Sequence, residues 1–472
     1  MSPHSLVGEE AVSCTVNLSA TGSRFWWSSF AVASGFLSET SCRRRTSRLP
    51  SGRKAQPIGS ASFPPSVTVW AFLSQVLDED SACRKVVARI SSLLAAGKHR
   101  SCSGNPSAYC QARARLPANL LPRLARLVAT RQESRVTPEH LWRGRRVLIV
   151  DGSSVSMPDT PANQAAYPQP VQQKPGCGFP VARFAALSSW STGAVVEAGI
   201  DSLAVSERTL FRRLWHRLSP GDVLLGDRGF CSYADLVVLK QRGIDAVLRI
   251  VQHKRVDFRR GRRLGSDDHL VTWTKPYSRP RWLSPEEFDA LPENIMLREI
   301  RFRVDVAGFR SREINLVTTL LDPVAYPKAA LMALYRDRWL IELDLRHLKV
   351  SMHMDILRGK SPDIVRKEFW AHLLAYNLLR GLMAEAAEFD CPVARRLSIK
   401  GSLQRLSVSA PRFLDATITL RERLRSHLLH EIRNDPVPNR PDRVEPRSRK
   451  RRPNSYPSLT VPRRVARMRI AG

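Results

Sequence analysis

The sequence predicts an α/β protein: a mixed sheet core with helices on its faces, interrupted by a β-rich insertion and flanked by helical regions. Three observations carry this expectation. Short aliphatic runs of strand length recur between residues 146 and 250, with helical-period segments between them. A basic, Pro-broken, β-leaning stretch over residues 252–320 then interrupts the pattern. Helical periodicity resumes at Pro327 and lasts to about Ala387, with a break near Gly359 to Pro362. At 472 residues the chain is too long for one ordinary compact domain, and two to four are expected.

The elements follow in order. Residues 1–64 are rich in Ser, Arg, Gly and Pro and include Arg43, Arg44 and Arg45. They read as a poorly ordered extension. Residues 65–140 form a small helical domain, with a stripe that begins at Val67, Trp70, Ala71, Phe72, Val76 and Leu77. Its many arginines suit either a grip on nucleic acid or a packing domain with a solvated basic face, with equal weight. Residues 141–251 hold the first part of the core. Arg146 to Asp151 is a buried strand ending in a carboxylate, and Ala182 to Ser189 and Ala194 to Ile200 are two more strands around a turn at Thr192-Gly193. A helix over Ser206 to Leu218, a strand over Val223 to Gly226, a helix over Ser232 to Arg242 and a strand over Ala246 to Ile250 follow. A three-stranded meander followed by alternating helices and strands suits a mixed sheet covered by helices, and it is the element order of the ribonuclease-H-like fold. Residues 252–322 read as an inserted β-rich subdomain with strands over Leu270 to Thr274, Met296 to Val306 and Glu313 to Thr319. Residues 323–390 return to the core, 391–433 are helical, and 434–472 are a Pro- and Arg-rich tail expected to be disordered, with Arg447, Arg449, Lys450, Arg451 and Arg452 close together.

Charge narrows the function. Lys plus Arg total 75 against 43 Asp plus Glu, a formal net charge of +32. A protein so far from neutrality repels itself unless it meets a polyanion. Nucleic acid fits, because each phosphate neutralised by Lys or Arg releases counterions. The eight cysteines are scattered with no C-x-x-C pair, which argues against a zinc ribbon and for a reducing compartment. The apolar run from Phe25 to Leu37 is broken by serines and Gly35, too short to span a bilayer. Glu9 and Glu10 stand where a secretory leader carries basic residues, so a soluble protein is expected.

Three carboxylates stand out. Asp151 and Asp227 each follow an aliphatic run and precede a Gly-containing turn, in Leu-Ile-Val-Asp-Gly and Leu-Leu-Gly-Asp-Arg-Gly. The carboxyl end of a strand is the sheet rim, where open α/β sheets bind ligands. Either aspartate alone is equally well a turn former beside Gly. In the segment Tyr335 to Lys349, Tyr335, Arg338, Glu342 and Lys349 fall at offsets 0, 3, 7 and 14. On one continuous helix these lie within roughly 60° of arc, beside an apolar stripe of Leu334, Ile341, Leu345, Leu348 and Met352. A carboxylate flanked by Arg and Lys suits a site for metal and phosphate, and a surface helix with ion pairs suits the same pattern. Oxygen ligands without Cys or His select Mg²⁺ or Mn²⁺ over zinc.

The spacing Y-x2-R-x3-E-x6-K resembles the signature of the IS-four family of DDE insertion-sequence transposases. Asp151 to Pro158 with Asp159 to Asn163 resembles that family's first-aspartate region, Gly226 to Phe230 its second, and Trp370 to Leu379 the segment after the glutamate. The resemblance covers residues from about 66 to 410 and implies a DNA transposase. It implies that Asp151, Asp227 and Glu342 bind two Mg²⁺ ions, with Mn²⁺ able to substitute, and that Tyr335, Arg338 and Lys349 grip DNA near the cleaved end. It implies double-stranded DNA as partner, with terminal repeats and target, and a dimer in the synaptic complex. A bacterial cytoplasmic, nucleoid-associated location follows. The insertion resembles the family's β-strand insertion, which makes Trp273 and Trp282 candidates for stacking on a flipped base. Trp339 reads as a packing residue. Two other readings stand beside this one: a ribonuclease-H-like nuclease, and a non-catalytic or decayed DNA-binding regulator of an insertion sequence.

Overall fold

A computed structural model describes residues 63–96, 102–303, 313–414, 416–438 and 458–471. The expected extension over 1–64 and the basic run of the tail lie almost wholly outside the described residues. One described piece of the tail, Arg463–Ala471, is helical rather than irregular.

The core is one nine-stranded sheet. Its strands are β1 (Val147–Ser156), β2 (Val181–Ser189), β3 (Val195–Ser202), β4 (Val223–Gly226), β5 (Asp245–Arg249), β6 (Arg262–Gly265), β7 (Asp268–Thr274), β8 (Asn294–Arg303) and β9 (Glu313–Thr318). The order across the sheet is β3-β2-β1-β4-β5-β9-β8-β7-β6. Strands β1, β2 and β3 pair antiparallel, while β4 lies parallel to both β1 and β5. That five-strand arrangement is the ribonuclease-H-like core. The inserted β-rich segment is continuous with the core sheet. Strand β9 pairs antiparallel with β5, so β6 to β9 extend the core sheet.

Strand β1 is apolar on both faces because both are covered. Val147 and Ile149 join one core, and Leu148 and Val150 join the other. A continuous aliphatic run is what a doubly covered strand requires. The first core is closed by helices α1 (Pro65–Val76) and α2 (Leu120–Glu133) and by a long α3 (Pro362–Ala386). The second lies under α4 (Glu207–Arg213) and α5 (Tyr233–Gln241).

Asn377 of α3 ties three elements together. It is 0% exposed. Its Nδ2 donates to the carbonyls of Ala125 at 3.1 Å and Val195 at 2.9 Å, and its Oδ1 accepts from the Val195 amide at 2.8 Å. Helix α2 and the first residue of β3 are thereby fixed to α3. Removing the amide takes the side-chain partner from the Val195 amide and carbonyl, while the Ala125 carbonyl keeps its helical bond. Asn377→Ala should cost about 2–5 kcal/mol, since each orphaned buried polar group costs about 1–3 kcal/mol. Urea unfolding checks this; a loss below about 1 kcal/mol would show that water replaces the amide.

Candidate active site

The rim is set by strand polarity. Because β1 and β4 run parallel with Ile149 opposite Leu225, Asp151 lies level with the residue that follows β4, which is Asp227. Strand β1 does not end at Asp151 as its sequence suggested: it continues through Gly152 to Ser156, so Asp151 lies within the strand, while Asp227 opens a turn. Asp151 Oδ1 accepts from Gly152 N at 2.8 Å, and Asp227 Oδ1 accepts from Gly229 N at 2.7 Å. Asp227 therefore does form a turn, as its sequence allowed, and stands at the rim as well.

The segment bearing Glu342 departs from the single helix expected. Helix α6 (Lys328–Arg336) ends at Asp337, α7 (Trp339–Arg346) starts afresh, and His347–Ser351 forms a π turn. Asp337 is tied elsewhere, since its carboxylate accepts from Trp190 Nε1 at 2.9 Å. The break invalidates a count of 100° per residue from Tyr335 to Lys349. Tyr335 turns into the core at 4% exposure. Its ring lies 5.9 Å from the Arg338 guanidinium, and burial pushes its hydroxyl up to about 12. Trp339, expected to pack, is 52% exposed. Arg338 and Glu342 remain one turn apart, with Nη2 donating to Oε1 at 2.5 Å. Lys349 reaches β1, donating from Nζ to Ser153 Oγ at 3.0 Å. Segments of π geometry recur at functional positions because they redirect side chains within a helix.

The far side of α7 is clamped. Asp344, 1% exposed, accepts from Arg380 and from Arg395 Nη1 at 3.1 Å. Burial alone would raise its pKa, but Arg395 and Arg380 outweigh it and hold the carboxyl below the usual range.

The three carboxylates share one field. Asp151 is pushed up to about 6, first by burial, with Asp227 and Glu342 adding to the rise; the Gly152 amide and Arg338 act against it. Glu207, at the start of α4, is a fourth carboxylate that sequence reading missed. Its side chain packs over Gly152, where an added Cβ would come within 2.6 Å of it, and burial followed by Asp227 raises its pKa. Its only sequence signal was Ser206 in an N-cap position.

Among the described residues, no three His, Cys, Asp or Glu side chains converge as a ready cation cage. Glu342 is instead turned toward Arg338. The donor chemistry nevertheless suits a hard divalent cation. The set is all oxygen, and Asp151 resists ionisation first through burial and then through its like-charged neighbours, a cost that a bound cation would relieve.

Trp273 and Trp282 are not open stacking platforms. Trp273 is 6% exposed, donates to Glu299 Oε1 at 2.7 Å and carries Lys254 Nζ 3.3 Å from its ring. Trp282 is covered by the Arg212 guanidinium at 4.2 Å and meets Trp215 edge-on at 5.7 Å.

Comparison with known proteins gives a consistent result. The transposase DDE domain family matches residues 142–378, half of the chain. The chain is 27% identical over 329 residues to the transposase InsG for insertion sequence element IS4 of Escherichia coli strain K12, covering 69% of this chain and 71% of that one. It is 34% identical over 74 residues to the putative transposase InsL for IS186A of the same strain, covering 16% of this chain and 20% of that one. Among solved structures, a cryo-EM structure of the piggyBac transposase synaptic complex with hairpin DNA matches with a TM-score of 0.40 and 10% identity, over 88% of this chain and 84% of that one.

The raised pKa of Asp151 makes a stability prediction. Between the unfolded value, 3.8, and about 6, the folded state binds more protons than the unfolded state, so stability falls as pH rises through that window. Asp151→Asn should therefore stabilise the metal-free protein by about 1–3 kcal/mol at pH 8 and by almost nothing at pH 3, since one unit is about 1.4 kcal/mol. Urea unfolding at both pH values decides it. A variant no more stable than wild type at pH 8 would mean that Asp151 ionises freely.

Proposed function

The chain belongs to the DDE transposase family, of the kind carried by insertion sequence IS4, and on that premise we propose that it cuts and rejoins double-stranded DNA at the ends of its own element. The observation that carries the reading is the shared field of Asp151, Asp227 and Glu342 at one rim of the sheet, with Arg338 and Lys349 beside it. DDE enzymes are in general dependent on divalent metals. Asp151, Asp227 and Glu342 would hold two Mg²⁺ ions, or Mn²⁺ in their place. When bound, such a pair stabilises both the attacking and the leaving oxygens of an in-line displacement.

The chain's own residues do the rest. Arg338 exchanges the Glu342 carboxylate for a DNA phosphate and leaves that carboxylate free to serve the metal site. Tyr335 braces the guanidinium from below. Lys349 donates to a second phosphate oxygen from its place beside Ser153. Water is the first nucleophile and frees a 3′-hydroxyl, which then attacks the opposite strand or the target. Joining two ends needs two copies, so the working complex is a dimer. No helix among the described residues is long and apolar enough to cross a membrane, and the site of action is the bacterial nucleoid.

Glu342→Gln should reduce cleavage of end-bearing DNA by at least about 1000-fold, because it removes a ligand from a site worth several kcal/mol of transition-state stabilisation. DNA affinity should hold or rise, since a negative charge is lost. Normal cleavage by this variant would sink the assignment.

Lys349→Ala tests grip separately. The slope of log affinity against log salt should shrink by about 0.9, one phosphate contact's worth on duplex DNA. An unchanged slope would leave Lys349 as a helix-face lysine held by Ser153.

Metal dependence gives a further check. Cleavage should proceed with Mg²⁺ or Mn²⁺ and fail with Ca²⁺, whose looser, higher coordination suits the displacement poorly. Undiminished cutting in a chelator would exclude the metal-dependent mechanism.

A further inference from the structure

Helix α7 is too short and too interrupted to fix its own orientation. It follows the break at Asp337 and runs into the π turn at His347–Ser351. Rotation of such a segment about its axis is set by what its side chains touch. The consequence for Glu342 is large. A carboxylate about 5–6 Å from a helix axis moves about 1 Å for each 10° of rotation. A misplacement of about 1 Å at a reacting centre costs about 100-fold in rate.

Apolar contact fixes one side. Ile341 and Leu345 are buried in the first core. They hold α7 down, but apolar contact is non-directional and resists rotation poorly. The directional contact is Asp344, which stands about 200° around the helix from Glu342. Its Oδ1 accepts from Arg380 Nη2 at 2.5 Å and from Arg395 Nη1 at 3.1 Å. Its Oδ2 accepts from Arg395 Nη1 and Nη2, each at 3.1 Å. Arg380 is aimed in turn by Tyr376, whose hydroxyl accepts from Nε at 2.9 Å. Arg395 comes from the short helix Cys391–Arg396, and its buried Nε has no partner among the described residues.

The two guanidiniums are roofed by the β2–β3 turn. Gly193 there has φ +73°, and a Cβ on it would collide with Arg395 Nη1 and stand 3.1 Å from Arg380 Nε. The start of the same segment is tied nearby, where Trp190, next after β2, donates to Asp337. Strand β2 is paired along β1, with Ala186 opposite Asp151. The clamp therefore refers Glu342 to the sheet that carries Asp151. A buried charge triad is a poor route to stability, since apolar side chains of similar volume serve as well or better. What the two-pronged pair adds is direction.

We propose that Asp344 is a positioning residue for DNA cleavage: clamped by Arg380 and Arg395, it fixes the rotation of α7 and with it the placement of the Glu342 carboxylate for a divalent cation. The proposal rests on the reading of Asp151, Asp227 and Glu342 as the metal site, and adds what holds one of the three in place.

The test pairs Mn²⁺ affinity of the DNA-free protein, read by loss of the free-ion paramagnetic resonance signal, with cleavage of end-bearing duplex. Asp344→Asn keeps the size and removes the charge. Arg395→Gln is the milder variant, because Asp344 keeps Arg380 and no buried charge is left unpaired. Far-UV spectra equal to wild type identify the folded chains, and Arg395→Gln decides the matter if Asp344→Asn does not fold. Each folded variant should bind Mn²⁺ about 10-fold more weakly and show kcat about 10–100-fold lower at saturating DNA, the usual effect of losing a group that orients a metal ligand. Affinity for the duplex in Ca²⁺ should hold. In the Glu342→Gln background neither substitution should weaken Mn²⁺ further, because the group that the clamp places is already gone. A merely structural clamp would lower the melting temperature and leave Mn²⁺ affinity and kcat per folded molecule unchanged; that result in Arg395→Gln overturns the proposal. An equal loss of Mn²⁺ affinity with and without Glu342 overturns it too, and leaves the metal site standing. Wild-type Mn²⁺ affinity and cutting in Glu342→Gln itself would instead overturn the site, and the positioning role with it.

Discussion

Burial of the Asp151 carboxylate beside Asp227 and Glu342 sets a cost that the neighbouring structure carries. Left alone, such a group takes up a proton, and its rise to about 6 measures that tendency. The Gly152 amide and the Arg338 guanidinium oppose it from the protein side. Gly152 itself is constrained, because the Glu207 side chain occupies the space a Cβ would need. The parallel pairing of β1 with β4 keeps this arrangement from relaxing, since the two aspartates cannot separate without breaking the middle of the sheet.

The helix bearing Glu342 is held from behind rather than from the site. Asp344 points to the opposite side of α7 from Glu342 and is locked by Arg380 and Arg395. A buried charge with two partners is costly to break, so α7 has a fixed seat while the Glu342 carboxylate can exchange partners. The ion pair with Arg338 neutralises the charge of the glutamate.

Much of this was legible in the chain. The aliphatic runs located β1, β4 and β5 because strands buried on both faces need them. Asp227 at the end of β4 followed from the Gly its turn requires, whereas β1 runs on past Asp151 to Ser156. Other features were not legible. Asp337, where the helix breaks, accepts from Trp190, a residue 147 positions away. Trp273 and Trp282 look available in sequence, but Glu299, Lys254 and Arg212 cover them only after β7, β8 and α4 have packed. Glu207 carries no local signal that it will face Asp227.

The sequence by itself determined most strands and helices of the core and the basic character of the chain, and it singled out three carboxylates that the fold brings within one another's field. Each of these is a local or compositional property, set by side-chain periodicity, turn chemistry and charge count. Tertiary structure decided that β6 to β9 would extend the core sheet, and that Tyr335 would be buried and Trp339 exposed. These outcomes depend on which strands pair and on where a helix is bent. Pairing and bending are fixed by contacts between residues far apart in the chain, whose partners no local pattern names.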